Sequence, residues 1–130
     1  MKSPRELAIE SLNRVKARDR DGWLALYEDD GFIEDPVGPS FMCPDGKGHQ
    51  GKAGITKFYD TYIAGINMDY KIHTSFECGD EVAIYIAMYV TSADGKTNAV
   101  EAVNLYKRSK NGKLFSLRSF WEMPAGAAGH

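Results

Sequence analysis

The sequence predicts an α+β fold, on three observations. Helical periodicity is confined to the first half of the chain, and strand-like runs fill the second half. Those runs are joined by short connections, "CGD", "ADGK" and "KNGK", two of which carry Asp-Gly or Asn-Gly hairpin signals. Helices first and a meander second place the helices on one face of a mainly antiparallel sheet.

The elements follow in chain order. "SPRELAIESLNRVKARD" opens with a capping box: Ser3 accepts from the first turn, Pro4 suits the first helical position, and Glu6 reaches back. Ala8, Leu12 and Val15 then fall on one face. "DGWLALY" predicts a short second helix with Trp23, Leu26 and Tyr27 at helical spacing, followed by the solvated acids Glu28, Asp29 and Asp30. "GFIED" reads as a short strand stopped by Pro36. Residues 36–50 are rich in proline and glycine and read as a loop. "GKAGITKFYDTYIAGI" predicts a third helix with Ile55, Tyr59, Tyr62 and Ile63 as its apolar stripe and Phe58 beside it. Four strands follow, at 68–77, 81–92, 97–109 and 113–123, and the tail "PAGAAGH" is expected to fray.

Totals bound the function. The chain's 130 residues fit a single domain, 1–130, with an ordered core from about 4 to 124. Net charge is −2, with 26% charged residues and no basic block, which argues against nucleic acid and a membrane surface as partners. No apolar run reaches the ~20 residues of a membrane helix. The N-terminus is polar and capped rather than signal-like, so a cytoplasmic protein is expected. Cys43 and Cys78 make neither a disulfide framework nor a zinc set and read as small buried thiols. His49 and His73 lack ligand-spaced partners, so no metal or other cofactor is expected.

In "EVAIYIAMYV" both parities are apolar: Val82, Ile84, Ile86 and Met88 on one face, Ala83, Tyr85, Ala87 and Tyr89 on the other. A half-wet strand alternates apolar with polar. This one calls for cover on both faces. The helices cover one, and a second copy of the chain is the simplest cover for the other, so a homodimer through the sheet face is expected.

Two polar residues lie within apolar surroundings. In "GFIED" Asp35 shares a face with Ile33, at the rim of the core, and Pro36 biases it to extended geometry. It is either a turn former or a base whose pKa burial raises. Asn104 shares a face with Ala102 and Tyr106 and needs partners there, either a backbone group or a ligand's carbonyl oxygen.

Two short helices, "LYEDDGFIEDPVG", a loop, "GKAGITKFYDTYI" and a meander ending in "SLRSFWEM" together resemble the ketosteroid isomerase branch of the nuclear transport factor 2-like (SnoaL-like) superfamily. The resemblance implies a cone: three N-terminal helices on a strongly bent sheet, around a deep apolar cavity. It also implies a proton-shuttling Asp at Asp35, and hence a steroid Δ-isomerase-like enzyme acting on a small apolar ketone. In such sites a Tyr and a protonated Asp stabilise the oxyanion. Here those two positions fall at Ser11 and Asn104, so Asn104 is left as the carbonyl donor. Tyr27 and Tyr59 match two supporting tyrosines and, with Ser11, are expected among the ligand contacts. Trp121, Leu117, Phe58 and Tyr59 are expected as walls, and Phe41 and Met42 as a lid on a loop longer than the family's. The alternatives are a hydrophobic-ligand binder without turnover, or a polyketide cyclase or dehydratase on the same fold. The dehydratase reading requires His73 in the cavity. An epoxide hydrolase requires an Asp–Arg–Asp set, and Arg118 falls on the opposite strand face from Leu117 and Trp121.

Overall fold

A computed structural model describes residues 1–123. The tail expected to fray lies outside the described residues. Helix α1 (Pro4–Lys16) carries the reciprocal Ser3–Glu6 capping box. Helix α2 (Arg20–Ala25) is capped by Asp19, whose side chain accepts from the Gly22 amide. Helix α3 (Gly51–Phe58) runs into a π-helical turn, Tyr59–Ile63. The strands are β1 (Tyr27–Glu34), β2 (His49–Gln50), β3 (Asn67–Cys78), β4 (Glu81–Thr91), β5 (Thr97–Arg108) and β6 (Leu114–Phe120).

The described strands form one sheet in the order β2-β1-β6-β5-β4-β3. Every pairing is antiparallel except β1 with β6. This is the α+β arrangement expected, with a mixed sheet in which the parallel β1–β6 pair lies next to the short edge strand β2. Leu7, Ala8 and Leu12 of α1 are buried with Trp23 of α2, Ile55 and Phe58 of α3, and Val82, Ile84 and Ile86 of β4. Lys52 of α3 donates to the carbonyls of Leu24 and Tyr27 at 2.6 and 2.7 Å, tying α3 to the junction of α2 and β1.

Several expectations are corrected. Tyr27 is the first residue of β1, not the end of the second helix, and it pairs with Leu114. The acids Glu28, Asp29 and Asp30 therefore lie within an irregular stretch of β1. Gly31 belongs to that irregularity: a Cβ there would sit 2.5 Å from the Phe115 carbonyl oxygen, so the close approach admits only glycine. The last two residues of the 36–50 loop form β2 and pair with Phe32 and Ile33. The thiols also differ from expectation: Cys78 is exposed at the end of β3 and Cys43 only half-buried.

A bulge in β6 decides which aromatics face inward. The register steps from Arg108↔Leu114 to Lys107↔Ser116, so Phe115 is the extra residue. By simple alternation along the strand Phe115 would share a face with Leu117 and Trp121. The extra residue reverses its parity, and its ring packs edge-on against Phe32 at 5.7 Å.

β4 keeps Val82, Ile84 and Ile86 buried on its inner face. Its outer face is open in the single chain. Tyr85, Val103 and Phe120 stand side by side across three strands and are 43%, 40% and 43% exposed.

Candidate functional site

The helices and the inner face of the sheet line a cavity that opens past the end of β6 onto Tyr85, Val103 and Phe120, with a volume of about 1140 Å³ in all. That exceeds the ~300–1,000 Å³ usual for small-molecule sites, because it includes the open stretch beside the outer face. Its lining is mostly apolar, with Leu12, Phe58, Met68, Met88, Leu117 and Trp121 among the walls. Ser11, Asp35, Asn104 and Tyr106 supply polar groups to the same lining.

Asp35 follows directly on β1, at a cis Asp35–Pro36 peptide. The Ile33↔Leu117 register brings the end of β1 beside β6. The Trp121 indole N–H, just beyond β6, donates to Asp35 Oδ1 at 2.6 Å. The residue is partly exposed through the cavity mouth, yet its carboxylate is enclosed by protein. Burial pushes its pKa up to about 6, while the hydrogen bond from Trp121 and the neighbouring Ser119 hydroxyl hold it down. A carboxylate tuned this way is ionised at neutral pH and accepts a proton readily.

Trp121 thus has a function that can be read out. Trp121→Phe keeps the aromatic wall and removes the N–H. Since that bond favours the charged form, its loss is expected to move the Asp35 midpoint upward from about 6. The ¹³Cγ chemical shift of Asp35, followed against pH, checks this. An unchanged midpoint would show that the bond holds no charge in place.

Asn104 faces inward from β5 and is 2% exposed. Its Oδ1 accepts from the fully buried Ser119 hydroxyl at 2.5 Å, across the Asn104↔Ser119 pair of β5 and β6. Its Nδ2 donates to the Tyr106 hydroxyl oxygen at 3.3 Å. Ser119 thus stands between Asn104 and Asp35, serving one acceptor with its proton at a time.

The other expected residues divide. Ser11 lines the cavity, but its Oγ accepts from Trp23 Nε1 at 3.0 Å. Phe58, Leu117 and Trp121 also line it. Tyr27 and Tyr59, expected among the ligand contacts, instead lie behind the wall, packed on Trp23 at 4.9 and 5.1 Å between ring centroids. The reason is that α2 inserts Trp23 between them and the cavity. Phe41 and Met42 border the mouth, and the Tyr62 hydroxyl donates to the Met42 carbonyl at 3.4 Å.

His73 is outside the cavity. It pairs with Glu101 at 3.0 Å and stacks on Tyr85 at 4.5 Å. Arg118 donates to Glu34 at 2.7 Å on the outer face. Neither the His of a dehydratase nor the Arg of an Asp–Arg–Asp set is therefore in the lining.

Two residues were missed. Ser119 has no pattern signal of its own: a serine in a strand is as often exposed. Tyr106 was legible, since it lies two residues after Asn104 and shares its face.

The sequence pattern of the SnoaL-like domain family matches residues 8–117. No sequence among curated proteins matches. Three similar solved structures each align with 94% of this chain. The first is a computationally designed 17-OHP binder (34% identity, 95% of that chain, TM-score 0.88). The second is a Δ5-3-ketosteroid isomerase from Mycobacterium sp. (34%, 95% of that chain, 0.88). The third is the Rv0760c protein of Mycobacterium tuberculosis in complex with estradiol-17β-hemisuccinate (35%, 96% of that chain, 0.87).

Proposed function

The chain belongs to the SnoaL-like domain family, and from that premise we propose that it binds a rigid, steroid-like ketone in the conical cavity and isomerises it. The reaction is conversion of a β,γ-unsaturated ketone to its α,β-unsaturated form. One observation carries the reading: the Asp35 carboxylate stands at the lining of an apolar cavity, with its pKa raised to about 6.

Asp35 takes the proton from the carbon between the carbonyl and the double bond. The electron pair moves into a dienolate, whose oxygen needs a hydrogen-bond donor already in place. A donor of the Asn104 cluster serves that oxygen. Asp35–H then returns the proton at the γ carbon, so the carboxylate is regenerated and nothing is consumed. Water exclusion by Phe58, Leu117 and Trp121 strengthens each of these electrostatic contacts. Similarity to a ketosteroid isomerase and to a protein crystallised with an estradiol derivative supports the ligand class.

The direct test is absorbance of the conjugated enone, formed from a 5-ene-3-ketosteroid by wild type and by Asp35→Asn. Equal rates for the two would sink the proton-shuttle reading.

The second part of the proposal is a homodimer through the outer sheet face, where Tyr85, Val103 and Phe120 form a continuous apolar row. Val103→Asp puts a charge at the centre of that row. Sedimentation at micromolar concentration is expected to find wild-type dimers and Val103→Asp monomers. A monomeric wild type overturns the dimer.

A further inference from the structure

We infer that Tyr106, held by Asn104 and Ser119 behind it, is the residue that donates a hydrogen bond to the ligand's carbonyl oxygen. This rests on the ketone-site reading above and assigns its missing acidic donor.

The geometry begins with direction. Ser119 Oγ–H donates to the Asn104 carbonyl at 2.5 Å, and Asn104 Nδ2–H donates to the Tyr106 oxygen at 3.3 Å. Each bond points the same way, from β6 across β5 toward the phenol. Tyr106 is 1% exposed and lines the cavity. Among the described residues its own O–H meets no acceptor, although the oxygen is already engaged as one. The last proton of the chain is therefore unspent, on a buried residue at the cavity wall. A buried O–H in that position needs a partner, and a ligand oxygen supplies it.

Chemistry favours the phenol over the amide. A phenol, with an ordinary pKa near ~10, is a far stronger acid than a carboxamide and matches developing enolate charge better. Donation by Asn104 into the phenol oxygen polarises its O–H further, because aligned hydrogen bonds strengthen one another. Burial and the nearby Asp35 charge both push the Tyr106 pKa up, so the group remains a protonated donor throughout the working range. Ser11 is a poorer candidate, since its oxygen is tied to Trp23 and its side chain is short. Tyr27 is excluded by position behind the wall. The helix-borne donor lost at Ser11 is thus replaced from β5, with Asn104 and Ser119 as positioning residues.

The test reads the carbonyl directly. A 4-ene-3-ketosteroid labelled with ¹³C at C3 is the conjugated product, so it binds without turning over. Its carbonyl stretch, measured by infrared difference spectroscopy, falls as the hydrogen bond to oxygen strengthens. Wild type is expected to shift the band to low frequency. Tyr106→Phe, which removes only the hydroxyl, is expected to return it toward its value in apolar solvent and to lower kcat/KM by roughly 10²–10³-fold. Asn104→Ala is expected to keep a smaller shift, because the phenol remains but is less polarised. A band that moves with Asn104→Ala and ignores Tyr106→Phe makes Asn104 the donor and overturns the inference alone. Wild type that fails to bind the probe, read by quenching of tryptophan fluorescence, overturns the ketone-site reading and this inference with it.

Discussion

Asp35→Asn is expected to lower kcat/KM for enone formation by roughly 10²–10⁴-fold, the usual contribution of a positioned general base. The substitution is nearly isosteric and leaves an oxygen to accept the Trp121 N–H, so the cavity keeps its shape. What disappears is the basic lone pair. Binding of the conjugated product should therefore persist while the rate collapses. The wild-type rate should also follow the ionisation of that carboxylate. It rises with pH through a midpoint near 6, where burial has placed the group, and is flat above it. A rate independent of pH between 5 and 8 would assign the proton transfer elsewhere. Product that binds Asp35→Asn no more weakly than wild type, with the rate lost, separates chemistry from recognition.

The same variant is expected to be more stable than wild type at pH 8. The ordinary carboxyl value of 3.8 is raised to about 6 in the fold. Each unit corresponds to about 1.4 kcal/mol, so the buried charge costs the native state about 3 kcal/mol at most. The sign follows from which state binds the proton more tightly. The folded protein does, so this group costs no stability below about pH 4, and the cost grows to its full size as pH rises past about 6. Asn104 and its partners are uncharged and contribute no such dependence. Asp35→Asn removes the charge, whose cost already nets off the bond from Trp121, for an expected gain of ~1–3 kcal/mol, or on the order of 5–10 °C in Tm, at pH 8. The difference between variant and wild type should vanish at pH 4. Urea unfolding at the two pH values checks this, and a difference equal at both would show that the carboxylate's ionisation is not the source. A gain in stability from losing the base is what a strained functional site predicts.

The proposed homodimer bears on these measurements through concentration. If the outer row of Tyr85, Val103 and Phe120 is covered by a second copy, unfolding midpoints depend on protein concentration, and comparisons between variants must hold it constant.

Much of this molecule was readable before any coordinates. Local rules decide helix starts, hairpins and strand parity, and these were legible because each depends on residues close together in sequence. The Ser3–Glu6 box, the hairpin turns and the inward row of Val82, Ile84 and Ile86 all follow from such rules. So does the shared face of Ile33 and Asp35, which put an acid at the apolar rim. Non-local pairing decided the rest. The bulge at Phe115 reversed one aromatic's facing, and a parity count along a single strand cannot foresee an unpaired residue set by its neighbour. Trp23 displaced Tyr27 and Tyr59 from the cavity because a helix inserted it there. Trp121, just beyond β6, and Ser119, on β6, come 86 and 15 residues after Asp35 and Asn104, and only the sheet register brings them within reach. Sequence by itself therefore determined that a carboxylate and a carboxamide face an apolar interior. Tertiary structure alone decided what they touch, because hydrogen-bond partners and burial, which set acidity and direction of donation, come from strands that meet only in the folded chain.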